Sequence, residues 1–157
     1  MKVELWVVGR TKEPWLREGM APYLTRLPRL TAFAYEEVHP GKVRGTPDAR
    51  ALLAAESAAV ESRLAPGDRL VLFDERGRRL TSRGLADHLE SLQHGGGSRI
   101  VLLLGGAYGF GERLRARAEG SLRLSDLTLT HQMARLLALE QVYRAYSILR
   151  GLPYHND

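Results

Sequence analysis

The run Ile-Val-Leu-Leu-Leu at 100–104, which leads directly into Gly105 and Gly106, constrains the fold more than any other segment of this chain. Consecutive apolar residues predict a strand buried on both faces, because a half-buried strand would alternate apolar and polar side chains. We therefore expect the strand Arg99–Leu104 to be central in its sheet. The glycines that follow would let a ligand approach main-chain N–H and C=O groups that a Cβ would shield.

Strand-like and helix-like segments alternate along the chain with short connections. This alternation predicts an α/β layer with a mostly parallel sheet. No internal repeat, linker or low-complexity segment interrupts it, so we expect residues 1–157 to form a single domain. The predicted strands are Val3–Val8, Thr31–Val38, Arg69–Phe73 and Arg99–Leu104.

Local residue preferences predict where some helices and turns begin. Thr46 is the expected N-cap of an alanine-rich helix, with Pro47 at its first position. Thr81 or Ser82 is expected to cap the next helix. The segment Asp-Glu-Arg-Gly at 74–77 is expected to be a turn that ends a short strand.

The last helix, predicted from about Gln132 to Leu149, is apolar around nearly its whole circumference. A helix with one exposed face in a small domain should carry a polar stripe. Either this helix is sandwiched inside the monomer or its second face meets another subunit. We favour a symmetric homodimer built on this helix.

The residue types that are absent exclude several kinds of chemistry. The chain has no cysteine, which rules out disulfides, thiolate catalysis and cysteine-ligated zinc. None of the five histidines has the spacing of a metal site, so we expect no metal. No apolar stretch approaches the roughly 20 residues of a membrane span, so we expect no membrane association. Glu4 stands where the apolar core of an export signal would begin, which makes a cytoplasmic location the simplest expectation.

The basic residues are compatible with RNA contact but do not require it. The formal net charge is +5, and 20 of the 23 basic residues are arginine. Arginine binds phosphate through a planar fork, yet a GC-rich or heat-adapted genome also supplies arginine without a functional reason. The charge is dispersed along the chain without a polybasic tail. The residues considered for RNA contact are Arg10, Lys12, Lys42, Arg44 and the arginines at 113, 115 and 117.

Two late segments are candidates for ligand binding. The glycine-rich turn at 105–111 matches neither the dinucleotide fingerprint nor the P-loop, so it is either a tight turn or a ligand cradle. The segment 124–130, Leu-Ser-Asp-Leu-Thr-Leu-Thr, alternates leucine with small polar residues. It is either an edge strand or a loop that offers main-chain groups around an apolar floor, and the spacing alone does not decide between them.

Several motifs recur in the same order in one known family. The chain resembles the ribosomal RNA large subunit methyltransferase H family, within the SPOUT superfamily, along essentially its whole length. The motifs that carry the resemblance are Val8-Gly9-Arg10-x-Lys12-Glu13, Gly105-Gly106-Ala107-Tyr108-Gly109, Leu124-Ser125-x-Leu127-Thr128-Leu129-x-His131, Glu140-Gln141-x-Tyr143-Arg144-Ala145 and Pro153-Tyr154-His155.

The resemblance implies both a fold and a function. The fold would be a Rossmann-like α/β domain whose C-terminal region is threaded into a trefoil knot, and the protein would be a homodimer. The function would be S-adenosylmethionine-dependent methylation of N3 of a pseudouridine in 23S rRNA. The substrate nucleotide would lie in the stem-loop that bridges the large subunit to the small one, and the enzyme would act on the assembled ribosome.

The resemblance also implies the site residues. The tail of one chain would lie across the cofactor pocket of its partner, placing Tyr154 and His155 near the transferred methyl group. Many relatives have a basic residue after Pro-Tyr-His, whereas Asn156 and Asp157 follow here, which weakens the case for a phosphate contact at that position. The cofactor contacts would come from Leu72 or Phe73, Gly105, and the stretch Leu124, Ser125, Asp126, Leu127, Thr128 and Leu129.

The chemistry of the implied reaction leaves two catalytic roles open. N3 of pseudouridine is a poor nucleophile until its proton is removed or the resulting anion is stabilised. Arg144 could provide electrostatic stabilisation, and His155 could act as the base, because an imidazole titrates near neutral pH. Alignment of the two reactants could instead supply most of the rate.

Two other classes of function remain possible from the sequence. One is a noncatalytic ribosome-binding module with the same fold, which would give no calorimetric signal with S-adenosylmethionine. The other is an oxidoreductase that binds a dinucleotide at the glycine turn, which titration of NADH fluorescence would detect. The late position of the glycines in the chain counts against the oxidoreductase.

Overall fold

Five strands form one sheet in the computed structural model, which describes residues 1–157. All four strand pairs are parallel, and the order β2-β1-β4-β3-β5 places β4 at the centre, as predicted. The strands are β1 (Lys2–Val8), β2 (Phe33–Val38), β3 (Asp68–Arg79), β4 (Arg99–Leu104) and β5 (Gly120–Arg123).

Helices cover both faces of this sheet. Ile100, Leu102 and Leu104 of β4 pack into the core on one face, and Val101 and Leu103 pack into the core on the other. The apolar run is therefore continuous because alternate side chains enter two different cores. The helices are α1 (Pro14–Arg26), α2 (Ala49–Glu61), α3 (Ser82–His94), α4 (Glu112–Arg117) and α5 (His131–Leu149), with a 3₁₀ turn at Leu27–Arg29.

The predicted cap of α2 is wrong by two residues. Asp48, not Thr46, is the N-cap, and its side chain accepts a hydrogen bond of 2.8 Å from the N–H of Ala51. Pro47 consequently precedes the cap instead of occupying the first helical position. The cap of α3 was predicted to be Thr81 or Ser82, and the structure shows that it is Thr81.

The predicted turn at 74–77 is also wrong, because β3 continues to Arg79. The pairing of β3 with β5 shifts register between Phe73 and Arg78, so the strand bends without ending. Gly77 lies against the main chain of Leu122, where a Cβ would be only 2.5 Å from the carbonyl carbon. This glycine therefore permits a close strand contact and does not form a turn.

Helix α5 is largely sandwiched within the monomer, between α1 and α3. Its buried side chains lie against the sheet and these two helices, while Met133 is 38% exposed. Intramolecular packing thus accounts for much of the apolar circumference, and the homodimer stays a prediction. The trefoil knot implied by the resemblance also stays a prediction, because strand order does not trace the threading. None of the helices combines the length and apolar character that crossing a membrane demands.

Candidate active site

Two adjoining cavities lie at the carboxyl ends of the central strands, where parallel α/β sheets usually bind ligands. The first has a volume of about 130 Å³ and the second about 470 Å³. The residues that line both are Phe73, Asp74, Glu75, Leu104 and Ala134.

The segment 124–130 is a loop, which is one of the two predicted alternatives. Most of the residues expected to bind the cofactor meet in this loop around the first cavity. Among the main-chain N–H and C=O groups of residues 125–129, only the N–H of Leu127 is hydrogen-bonded. Its acceptor is the side-chain hydroxyl of Ser125. The loop therefore presents free N–H and C=O groups beside an apolar floor. The expected residues that line this cavity are Phe73, Leu124, Ser125, Leu127, Thr128 and Leu129.

Two expected cofactor residues lie elsewhere. The side chain of Leu72 is 1% exposed and packs into the core on the opposite face, so only its main chain could contact a ligand. Asp126 points outward, and its carboxylate binds Arg79 at 2.9 Å and Arg123 at 3.1 Å. This double ion pair connects the loop to the ends of β3 and β5.

The glycine turn forms part of the wall of the second cavity. A Cβ on Gly105 would lie 2.9 Å from the carbonyl oxygen of Gly109 and 3.0 Å from the ring of Phe110. Gly109 has φ of +78°, which a residue with a side chain rarely adopts. The segment is therefore both a tight turn and a cavity wall.

Asp74 is a site residue that sequence reasoning missed, since it was assigned to a turn. Its side chain is 5% exposed, borders both cavities and forms an ion pair with Arg115. The N–H of Arg76 also donates to Asp74 Oδ1 at 2.9 Å. An acidic residue directly after the buried apolar part of β3, which ends at Phe73, was the available signal.

Each arginine of α4 makes a contact within the protein. Arg115 binds Asp74, and Arg113 forms an ion pair of 3.3 Å with Glu61. Arg117 donates to main-chain carbonyl groups, including that of Asp68 at 2.8 Å. These contacts favour a structural role for Arg115 and Arg117 over a role in binding phosphate, whereas the side chain of Arg113 is 88% exposed and stays a candidate for RNA contact.

The three residues expected to be catalytic, Arg144, Tyr154 and His155, are brought together at the far end of α5. Nη1 of Arg144 lies 3.2 Å from Nδ1 of His155, and its guanidinium carbon lies 4.8 Å from the centre of the Tyr154 ring. The ring of Tyr154 packs edge-on against Tyr143 with centroids 4.8 Å apart. The tail is therefore docked on α5 of its own chain.

Glu140 joins these residues, although sequence reasoning gave it no role. Its Oε1 accepts hydrogen bonds from Tyr154 at 3.0 Å and from Nε of Arg144 at 3.1 Å. Burial raises the pKa of Tyr154, and its hydrogen bonds with Tyr23 and Glu140 raise it further, so this phenol stays protonated. The hydrogen bond to Glu140 also raises the pKa of Arg144.

The catalytic candidates and the cavities do not meet within one chain. Ala134 borders the cavities, and Arg144 follows it by ten residues, which is about 15 Å along a helix. None of Arg144, Tyr154 and His155 lines either cavity.

Comparisons with known proteins cover the whole chain. The profile of a family described as "Predicted SPOUT methyltransferase" matches residues 1–155. A protein named ribosomal RNA large subunit methyltransferase H from Dechloromonas aromatica is 44% identical over 157 residues, covering 100% of this chain and 99% of that protein. Proteins of the same name from Geobacter metallireducens and Cytophaga hutchinsonii are 42% and 38% identical, covering 100% and 99% of this chain and 100% of each protein.

A solved structure shares the fold. It is described as a probable methylase family protein from Haemophilus influenzae, and it matches with a TM-score of 0.54 at 12% sequence identity. The match covers 99% of this chain and 70% of that chain. Such a distant likeness supports the fold alone.

Proposed function

The chain belongs to the SPOUT methyltransferase family, and from that membership we propose that it transfers the methyl group of S-adenosylmethionine to ribosomal RNA of the large subunit. The relatives that carry this function in their names match over their full length. The finer target is N3 of a pseudouridine in 23S rRNA within the assembled ribosome. A cytoplasmic location follows from such a substrate.

The free main-chain groups at 125–129 are the observation that best supports cofactor binding. Leu124, Leu127 and Leu129 provide an apolar surface of the kind that accepts an adenine ring. The unpaired N–H and C=O groups beside it suit the polar edge of that ring, since buried polar groups need partners. The carboxylate of Asp74 suits a hydroxyl or ammonium group. S-adenosylmethionine, when bound, supplies an electrophilic methyl group on a sulfonium.

The main chemical demand of this reaction is stabilisation of the negative charge that develops on the nucleobase. A C–N bond forms to the methyl carbon as its bond to sulfur breaks, and the proton on N3 leaves to solvent or a base. The negative charge that develops on the ring spreads to the carbonyl oxygens that flank N3. Arg144 offers a cation with N–H donors to these oxygens, and preorganised donors of this kind are effective in catalysis.

A homodimer would bring the two halves of the site together. Arg144 lies about 15 Å along α5 from Ala134 at the cavities, and neither Tyr154 nor His155 lines a cavity, so one chain alone does not complete the site. In a symmetric dimer through α5, the tail of each chain would lie across the cavity of its partner. The exposed side chain of Met133 adds apolar surface near this seam.

Calorimetry and methyl transfer test this function directly. We expect S-adenosylmethionine to bind, and radiolabelled methyl groups to enter 23S rRNA when assembled ribosomes are the substrate. Mass spectrometry of the digested rRNA would locate the modified base. Ribosome binding without binding of S-adenosylmethionine would establish the noncatalytic alternative, and an NADH fluorescence signal would establish the oxidoreductase. A monomer in analytical ultracentrifugation would contradict the shared site.

A further inference from the structure

Both ring nitrogens of His155 have hydrogen-bond partners. Nη1 of Arg144 lies 3.2 Å from Nδ1, and Oδ1 of Asp157 lies 2.9 Å from Nε2. An arginine nitrogen can only donate, so Nδ1 must be the acceptor. The ring proton is then on Nε2 and is donated to the carboxylate. A second proton, on Nδ1, would place two N–H donors against each other.

Asp157 is itself held by Arg83 in the first turn of α3. Nε of Arg83 donates to Oδ1 at 2.9 Å, and Nη2 donates to Oδ2 at 2.7 Å, which makes a bidentate pair. The hydrogen bond from Arg83, followed by that from His155, lowers the pKa of Asp157 to about 2. The carboxylate is therefore charged at any pH at which the protein would work. This ion pair connects the tail to a different helix from the one that carries Arg144.

Arg144 is oriented at three of its five N–H groups. Nε and Nη2 donate to Oε1 of Glu140, and Nη1 donates to His155. One N–H on each terminal nitrogen stays free. These two groups can donate to a substrate oxygen, whereas the imidazole has no free lone pair for a proton.

We propose that Arg83 and Asp157 are positioning residues that hold His155 as its neutral Nε2–H tautomer, and that His155 orients Arg144 toward the nucleobase. This inference rests on the proposed function, because Arg144 is the group that would face the substrate anion. His155 then does not remove the proton from N3. The carboxylate of Asp157 stabilises the tail of its own chain by binding Arg83.

Nitrogen NMR of the imidazole tests the tautomer without any substrate. Long-range ¹H–¹⁵N correlation of the wild-type protein should show a protonated Nε2 and an unprotonated Nδ1 for His155. Asp157→Asn should preserve this signature, because its amide oxygen still accepts. Asp157→Ala releases the tail from Arg83, so His155 loses its Nε2 acceptor and its fixed contact with Arg144, and a mixture of tautomers should result. A protonated Nδ1 in the wild-type protein, or an unchanged spectrum in Asp157→Ala, would overturn the proposal.

Substitution of His155 separates orientation from base catalysis. In His155→Asn, the amide oxygen can accept from Arg144 but cannot remove a proton, so we expect kcat within about tenfold of wild type. His155→Ala lacks the acceptor and should lose about a hundredfold in kcat, with the affinity for S-adenosylmethionine within twofold. Equal loss in both variants would show that His155 is the base and would refute the orienting role.

Kinetics of the tail variants complete the test. Asp157→Ala should reduce kcat about tenfold with KM for ribosomes within twofold, and Asp157→Asn should restore most of the loss. Glu36→Gln is the matched control, since Glu36 forms a similarly exposed ion pair with Arg63 at 3.0 Å on β2, and its kcat should be unchanged. Equal kcat in Asp157→Ala and wild type would overturn the proposal. A wild-type protein that methylates no RNA would refute the proposed function, and the NMR result would still report the tautomer.

Discussion

Replacement of Arg135 by methionine tests how a buried cation stabilises the sheet next to the candidate site. Arg135 lies on α5 and is only 2% exposed. It donates from Nη2 to the carbonyl of Val8 at 2.7 Å and from Nη1 to the carbonyl of Gly9 and the hydroxyl of Thr11, both at 2.9 Å. All three acceptors are neutral, and they belong to the end of β1 and the loop that follows it.

The expected loss of stability follows from the acceptors that would be left without a donor. Each buried acceptor that loses its partner costs about 1–3 kcal/mol, and the two main-chain carbonyls make this about 2–6 kcal/mol. Removal of a buried charge recovers part of that cost. We therefore expect Arg135→Met to lower the free energy of unfolding by about 3 kcal/mol. For a domain of this size, that corresponds to a decrease in Tm of about 6–12 °C.

Urea unfolding at fixed protein concentration measures the effect. An unchanged m-value would show that the variant and the wild type expose the same surface on unfolding, so that their free energies can be compared. Arg150→Met is the matched control, because Arg150 also donates to a main-chain carbonyl, that of Leu30 at 2.8 Å, but is exposed. We expect the control to lose less than about 1 kcal/mol. If Arg135→Met lowers the free energy of unfolding by less than about 0.5 kcal/mol, or raises it, the reasoning is refuted. Arg135 would then be a buried charge that an apolar residue can replace without loss of stability.

Three further predictions concern the cofactor, pH and RNA. Gly105→Ala should weaken binding of S-adenosylmethionine by at least about tenfold in calorimetry, because the new Cβ would force the turn to shift; unchanged affinity would contradict the cradle. Burial raises the pKa of Asp68, but hydrogen bonds from Arg99 and from the N–H of Ala65 outweigh it and lower the pKa below 3.8. The stabilisation that this carboxylate provides is therefore complete above pH 3.8, and it is lost as the pH falls through the lower pKa of Asp68 in the folded protein. In urea titrations at pH 7 and pH 3, the Asp68→Asn variant should lose less stability than wild type on acidification, and equal losses would refute the assignment. Charge reversal at four exposed basic residues, Arg10, Lys12, Lys42 and Arg44, should raise KM for ribosomes, most strongly at low salt. The affinity for S-adenosylmethionine should stay constant. An unchanged KM would exclude these residues from the RNA-binding surface.

The sequence alone determined the features that depend on neighbouring residues. Arg99–Leu104 had to be a buried central strand, because its run of apolar side chains could be covered only by a core on each face. A helix cap at Thr81 or Ser82, of which the structure selects Thr81, and the alternation of strands and helices that predicts a parallel sheet follow from equally local patterns. The resemblance then predicted that the loop at 124–130 and the tail are the two parts of the site.

The tertiary structure decided everything that depends on which distant residue is close in space. The sequence predicted Thr46 as the cap of α2, and only the conformation of the chain shows that Asp48 instead accepts from the N–H of Ala51. The extension of β3 past Phe73 requires β5 as a partner, which lies more than forty residues later.

The site shows the same dependence on distant contacts. Asp74 became a candidate only when Arg115 and both cavities were placed around it. The tautomer of His155 likewise depends on Arg144 and Asp157, which reach it from a helix and a tail. Hydrogen bonds act over about 3 Å, so the position of the donor and acceptor, and not the order of residues along the chain, determines the chemistry of each group.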